Sequence, residues 1–141
     1  MSLHNLLRQR AEEDSPIRVD VIGAGKFGSM YLAQARRTPG IHIMGVADLA
    51  PERAREALRR VGWLDDQFNA TSIDDAVATG KTFITEDSEG LVAAEGLDVV
   101  VDATGVPAVG IRHALLTATH GRHIVMVNVE ADVLAGPLLA R

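Results

Sequence analysis

Cysteine is absent from the 141 residues, aromatic side chains make up 4% of them, and basic residues are outnumbered, 14 Lys and Arg against 19 Asp and Glu. Without cysteine there are neither disulfides nor thiolate metal ligands, which fits a reducing compartment. A formal charge of −5 and a pI near 5.4 argue against non-specific attraction to nucleic acid or to an anionic membrane, since Lys and Arg neutralising phosphate hold a protein to either. So few aromatic rings leave little for a base-stacking platform. No run approaches the ~18 uninterrupted apolar residues of a membrane span.

What remains, 47% apolar and 23% charged residues, is the composition of one soluble globular domain. A chain of this length buries roughly two thirds of the surface its unfolded form exposes, enough for a core without disulfides or a structural metal. Residues 1–14 mix Leu3, Leu6 and Leu7 with Arg8, Arg10, Glu12 and Glu13. That is an amphipathic helix rather than a signal peptide, and it predicts a cytoplasmic protein.

After Ser15-Pro16, the β-branched run 17–22 ends at a glycine cluster and reads as a strand; a helix over about 26–37 and a second strand over 41–47 complete a βαβ unit. Pro51 at a first helical position, Glu52 in the first turn, Arg59 and Arg60 in the last and Gly62 beyond describe a further helix. The stretch 63–81 is an irregular insertion with a short helix over 72–79, Ser72 and Asp75 being placed as a capping box. Then come a strand at 82–85, helix 88–95, strand 98–102, helix 107–119 and strand 123–128. Five strands alternating with helices predict a doubly wound α/β fold of the Rossmann type, its parallel sheet covered on both faces. Residues 1–16 are its leading helix and linker, and 17–141 a dinucleotide-binding domain. Residues 131–141 read as the opening turns of a helix whose Leu134, Leu138 and Leu139 lack a partner, so the domain is expected to be incomplete at its C-terminal end and to begin something larger.

Gly23-Ala24-Gly25-Lys26-Phe27-Gly28 fits G-x-G-x-x-G directly after a strand and at the opening of a helix. In that setting Gly23 permits the tight turn, Gly25 lets the backbone approach a pyrophosphate, and Gly28 lets the helix sit close on the sheet. The helix N-terminus offers amides and positive dipole to the phosphates, and Lys26 either adds charge or is solvated. Asp48 ends the second strand, 20 residues after Gly28, where a carboxylate accepts hydrogen bonds from an adenosine ribose. Its charge disfavours a 2′-phosphate and so favours NAD, while Arg53, five residues on, is placed to pair with that phosphate; the choice between NAD and NADP stays open. A packing-only glycine turn and an S-adenosylmethionine site are the competing readings. The loop lacks the phosphate lysine of a Walker motif, since Ser29-Met30 follows Gly28.

Ligands of an open parallel sheet bind beyond the C-terminal strand ends. There Thr104 and Gly105 are candidates to line the dinucleotide, and Asn128 and Glu130 to face nicotinamide and substrate, Glu130 as an acid, base or ligand. Alternatively Asp102 merely ends a strand, Asn128 turns the chain, and Glu130 with Asp132 stabilises a helix start. His113, His120 and His123 form no recognisable metal motif, and no metal is expected. Asp20 falls in the expected central strand, where an unpaired carboxylate is costly; it is either on a solvated or partner-covered edge of the sheet face or hydrogen-bonded.

The segments 19–28, Val99-Val100-Val101-Asp102-Ala103-Thr104-Gly105-Val106-Pro107, and 125–137 with its Asn128-Val129-Glu130-Ala131-Asp132 core together resemble the N-terminal domain of homoserine-dehydrogenase-like oxidoreductases. The last segment is particularly similar to the branch carrying a C-terminal SAF domain, which includes the 1-deoxy-D-xylulose 5-phosphate reductoisomerase-like enzymes of isoprenoid biosynthesis. The resemblance implies an NAD(P)-dependent oxidation or reduction of a small, often phosphorylated, hydroxy or oxo compound, NADPH in the reductoisomerase-like branch, and a homo-oligomeric intact protein whose substrate region lies beyond this chain. Homoserine dehydrogenases proper have a lysine-bearing segment where Val129-Glu130 follows Asn128 here. A non-catalytic nucleotide-sensing module is the alternative from another functional class.

Overall fold

A computed structural model describes residues 3–104 and 107–126. Helix α1 (Leu3–Glu12) precedes β1 (Ile17–Ile22), α2 (Lys26–Ala35), β2 (Ile41–Ala47), α3 (Pro51–Arg60), a 3-10 turn (Asp65–Gln67), α4 (Ile73–Thr79), β3 (Phe83–Thr85), α5 (Ser88–Val92), β4 (Val99–Asp102), α6 (Pro107–Thr119) and β5 (His123–Met126). Among the described residues the four strand pairings are all parallel and the order is β3-β2-β1-β4-β5, the doubly wound arrangement expected from the alternation. Strand order reverses between β1 and β4, so a crevice opens beyond their C-terminal ends. Among the described residues no helix is long and apolar enough to cross a membrane.

Two apolar layers hold the sheet. On one face Val19, Val21, Ile43 and Val46 pack with Leu32 of α2 and Ala54, Ala57 and Leu58 of α3. On the other, Ile22, Met44, Ala47 and Val100 pack with Ala76 of α4 and Leu91 and Val92 of α5. Period-two alternation assigns the side chains of β1 and β4 to their layers, while in β2 a register shift opposite Val19 and Asp20 places Ile43 and Val46, three residues apart, on one face and Met44 and Ala47 on the other. The charges at the two ends of α3 match its dipole as expected.

Local chemistry shifts a few boundaries. Ser72 Oγ accepts from the Asp75 amide, but the Asp75 carboxylate reaches back to the Thr71 amide (2.9 Å), not to Ser72, so the expected capping box closes one residue early. Helix α5 stops three residues short of its expected end, because the chain turns through Gly96 at φ +86° to enter β4. The insertion, left without a role by its sequence, is a packing element: Phe68 is buried, and Trp63 Nε1 donates to the Leu32 carbonyl at 3.1 Å.

Asp20 takes neither expected course. It is fully buried in β1 on the α5 side, and among the described residues neither carboxylate oxygen has a hydrogen-bond partner in good geometry. Gly45, opposite it, leaves the space that its Oδ1 and Leu91 fill. Burial pushes the Asp20 carboxyl well above its ordinary range, against the Gly45 amide and the Arg122 charge. The folded chain therefore holds a proton that the unfolded chain releases above about pH 4, so this group's contribution to stability falls as pH rises from there toward its folded pKa. Asp20→Asn is expected to remove that loss. Unfolding free energies of variant and parent from urea titration should agree near pH 3 and diverge by about 1–3 kcal/mol in the variant's favour at neutral pH; a gap that does not change with pH would show that Asp20 carries no such proton.

Candidate dinucleotide crevice

The crevice beyond β1 and β4 has a volume of about 370 Å³ and is lined by Gly23, Gly25, Asp48, Arg53, Ser88, Thr104 and their neighbours. Its size lies within the roughly 300–1,000 Å³ of small-molecule sites. A larger hollow, about 810 Å³, opens among the opposite strand ends near Pro16, Gly40 and His42. That edge lies away from the glycine loop and from the end of the sheet where open α/β folds bind ligands.

The loop is built as its spacing implied. Gly23 turns at φ +93°, and a Cβ there would meet the Ala103 carbonyl at 2.8 Å. Its amide donates to the Ala47 carbonyl, tying the turn to β2. A Cβ on Gly28 would drive into the Gly23 carbonyl oxygen, so α2 sits directly on the turn. Around Gly25 a Cβ would meet nothing within 4 Å, which leaves an open cradle before the helix. The first helical hydrogen bond, Ser29 N–H to the Gly25 carbonyl at 2.9 Å, leaves the preceding amides at the α2 N-terminus for an anion. Lys26 and Phe27 open α2; their side chains lie outside the described residues.

Asp48 is built into the same loop. Its Oδ2 accepts from the Ala24 amide at 3.0 Å and its Oδ1 from the Ala50 amide at 2.9 Å, while Arg53 Nη2 reaches both oxygens at 3.0 and 2.8 Å. Burial opposes the charge, but the Ala50 and Ala24 amides and Arg53 outweigh it and hold the carboxyl below its ordinary range. The Asp48 side chain is 1% exposed and that of Arg53 62%. Arg53 thus covers the carboxylate from the solvent side, where a ribose would have to displace it, and its solvated position makes that displacement cheap.

Three side chains that the sequence left apart also meet at the wall of the crevice. Asp102, at the end of β4, accepts from the Thr104 amide (3.1 Å) and hydroxyl (2.9 Å) through Oδ1, and its Oδ2 lies 2.7 Å from His113 Nδ1. His113 Nε2 is 2.9 Å from Ser88 Oγ. Asp102 is fully buried and His113 is 2% exposed. Burial disfavours the Asp102 charge, yet the His113 and Thr104 hydrogen bonds prevail and hold its carboxyl low. The signal available in the sequence was an acid ending a strand with a histidine one helix later; read singly, each had an ordinary explanation.

Gly23, Gly25, Asp48, Arg53 and Thr104 therefore line one crevice, with Gly28 beneath it. Gly105, Asn128 and Glu130 lie outside the described residues. No cluster of metal-ligating side chains occurs among the described residues.

No protein-family model matches the chain. Over 112 residues it is 29% identical to an L-threonine 3-dehydrogenase of Saccharopolyspora erythraea, a match covering 79% of this chain and 29% of that protein. Among solved structures it resembles myo-inositol dehydrogenase from Lactobacillus casei, in complex with NAD(H) and myo-inositol, with TM-score 0.66 and 16% identity over 89% of this chain and 32% of that one. The WlbA dehydrogenase from Bordetella pertussis, in complex with NADH and UDP-GlcNAcA, gives TM-score 0.60 at 20% identity over 89% and 33% of the two chains. A levoglucosan dehydrogenase in complex with NADH and L-sorbose gives 0.56 at 24% identity over 79% and 27%. This chain spans about a third or less of each of these proteins, and the likeness in structure shows that its fold is the Rossmann fold of their nucleotide-binding domains.

Proposed function

We propose that this chain is the nicotinamide-dinucleotide-binding domain of an oxidoreductase that oxidises a secondary alcohol, or reduces the corresponding ketone, in a small polar metabolite. The observation that carries the reading is the junction of the glycine loop with Asp48. A carboxylate anchored to the Ala24 amide sits beside an open cradle at a helix N-terminus, so one rigid unit presents a ribose acceptor and a phosphate site. Inositol and threonine, named for two of the similar proteins, both carry secondary alcohols, which supports the substrate class. The resemblance of 99–107 and 125–137 to homoserine-dehydrogenase-like enzymes supports hydride transfer on a hydroxy or oxo compound only in the broader sense, homoserine itself being a primary alcohol.

In this reading the Gly25 cradle and the amides at the start of α2 hold pyrophosphate, Asp48 holds the adenosine ribose, and Thr104 and Gly105 line the path toward nicotinamide. Asn128 and Glu130 face nicotinamide and substrate, with Glu130 as proton carrier or ligand. The bound dinucleotide supplies the hydride transfer; the domain supplies orientation.

Calorimetric titration of the chain with NADH and NADPH tests the reading. NADH is expected to bind more tightly, because a 2′-phosphate meets the Asp48 carboxylate. Asp48→Ala should lower NADH affinity about tenfold and reverse the preference, Arg53 being released to pair with the phosphate. Absence of binding by either nucleotide to the folded chain, or saturable binding of S-adenosylmethionine instead, would overturn the proposal.

A further inference from the structure

The Asp102–His113–Ser88 relay has no part in holding ribose or phosphate, yet it ends on a hydroxyl that lines the crevice. Its internal logic is directional. A carboxylate can only accept, so Nδ1 of His113 carries a proton facing Asp102, and with a single proton on the ring Nε2 is the acceptor. The acceptor at Nε2 then takes the hydroxyl hydrogen of Ser88. What Ser88 has left for a ligand is lone pairs alone.

The position of Ser88 limits which part of a dinucleotide it can meet. Phosphates belong to the α2 N-terminus and the ribose to Asp48, so the base lies further along the same crevice, among Leu49, Glu86, Ser88 and Val109. The exposed Leu49 and Val109 suit the faces of a flat ring, and Ser88 its edge.

On the dinucleotide reading above, we propose that Ser88 accepts a hydrogen bond from the 6-amino group of the adenine base, and that His113 and Asp102 are positioning residues that fix Ser88 as an acceptor. The relay would thereby make this crevice selective for a base with a donor at that position.

The test compares the affinities of the full chain for NADH and for reduced nicotinamide hypoxanthine dinucleotide, which carries a carbonyl in place of the amine, in mildly alkaline buffer. The parent chain is expected to prefer NADH by about tenfold. Ser88→Ala should bring the ratio close to one. Asp102→Asn keeps an oxygen for Thr104 but presents an amide N–H to His113 Nδ1, which moves the ring proton to Nε2 and frees the Ser88 hydroxyl to donate. With Ser88 still present, the preference should then vanish or invert. A relay that only holds α5, α6 and β4 together would weaken both nucleotides alike and leave the ratio unchanged in both variants, which would overturn the proposal. Equal affinities in the parent would also overturn it while leaving the dinucleotide reading intact, and failure of both nucleotides to bind the parent would defeat that reading itself.

Discussion

With Gly25 replaced by valine, the chain is expected to fold as before and to lose dinucleotide affinity by about 100-fold or more. Two features separate folding from binding at this position. Gly25 has φ −74°, which any L-residue adopts, and a Cβ there meets no atom within 4 Å. Valine is a poorer N-cap than glycine, a cost of about 1 kcal/mol or less, so urea unfolding should shift only slightly. The new methyl groups would nevertheless stand in the open cradle before α2, where a phosphate must come within hydrogen-bond distance of backbone amides. Calorimetry with NADH, beside a urea titration, checks both halves. Undiminished binding by the folded variant would remove the glycine loop from the nucleotide site.

Three residues on, the smaller change Gly28→Ala is expected to do the reverse and damage the fold. The added Cβ collides with the carbonyl oxygen of Gly23, and backbone cannot rotate away as a side chain can. Nor can Gly23 retreat: its amide is tied to Ala47, and its own Cα faces the Ala103 carbonyl. Relief requires lifting α2 from the sheet and opening the layer around Val21, Leu32 and Val101. Overpacking against such immobile neighbours costs about 3 kcal/mol or more, a large share of the roughly 5–15 kcal/mol that stabilises a domain. A thermal midpoint lowered by about 10 °C or more is the expected result, and an unchanged midpoint would mean that α2 does not rest on the turn as described.

The contrast between the two glycines separates what could be read in the sequence from what could not. G-x-G-x-x-G between a strand and a helix named both positions as special, and the motif's known mechanics assigned them different duties. Which glycine has empty space beside it and which has a carbonyl is a matter of packing, visible only when α2 is laid on β1. The elements themselves were legible because their signals are local. β-branched runs ending at glycine, Pro51 and Glu52 at a helix start and Ser72 at another act within a turn or two of chain.

Asp48 was legible for the same reason, as an acid at a fixed distance beyond the loop. Its clasp by Arg53 was half legible: the arginine was noticed, but as a phosphate partner, since an ion pair within one turn of Asp48 depends on how Ala50 enters α3. Asp20 was legible as a costly carboxylate in the central strand but its surroundings were not, and the Asp102–His113–Ser88 relay showed in the sequence only as separate residues, each with an ordinary explanation. Ser88 follows β3 at one edge of the sheet, Asp102 ends β4 beyond β1, and His113 lies in the helix after it; only the crossover from β3 to β4 brings the three together. Hydrogen bonds reach about 3 Å while the residues stand 11 to 25 apart in the chain. Periodicity and capping along this sequence determined a doubly wound sheet with a nucleotide-type loop, because those forces are short-ranged along the chain. Only the tertiary structure decided which polar side chains finish the crevice and that Asp20 is buried with no hydrogen-bond partner in good geometry among the described residues, because burial and pairing depend on neighbours contributed by other strands and helices.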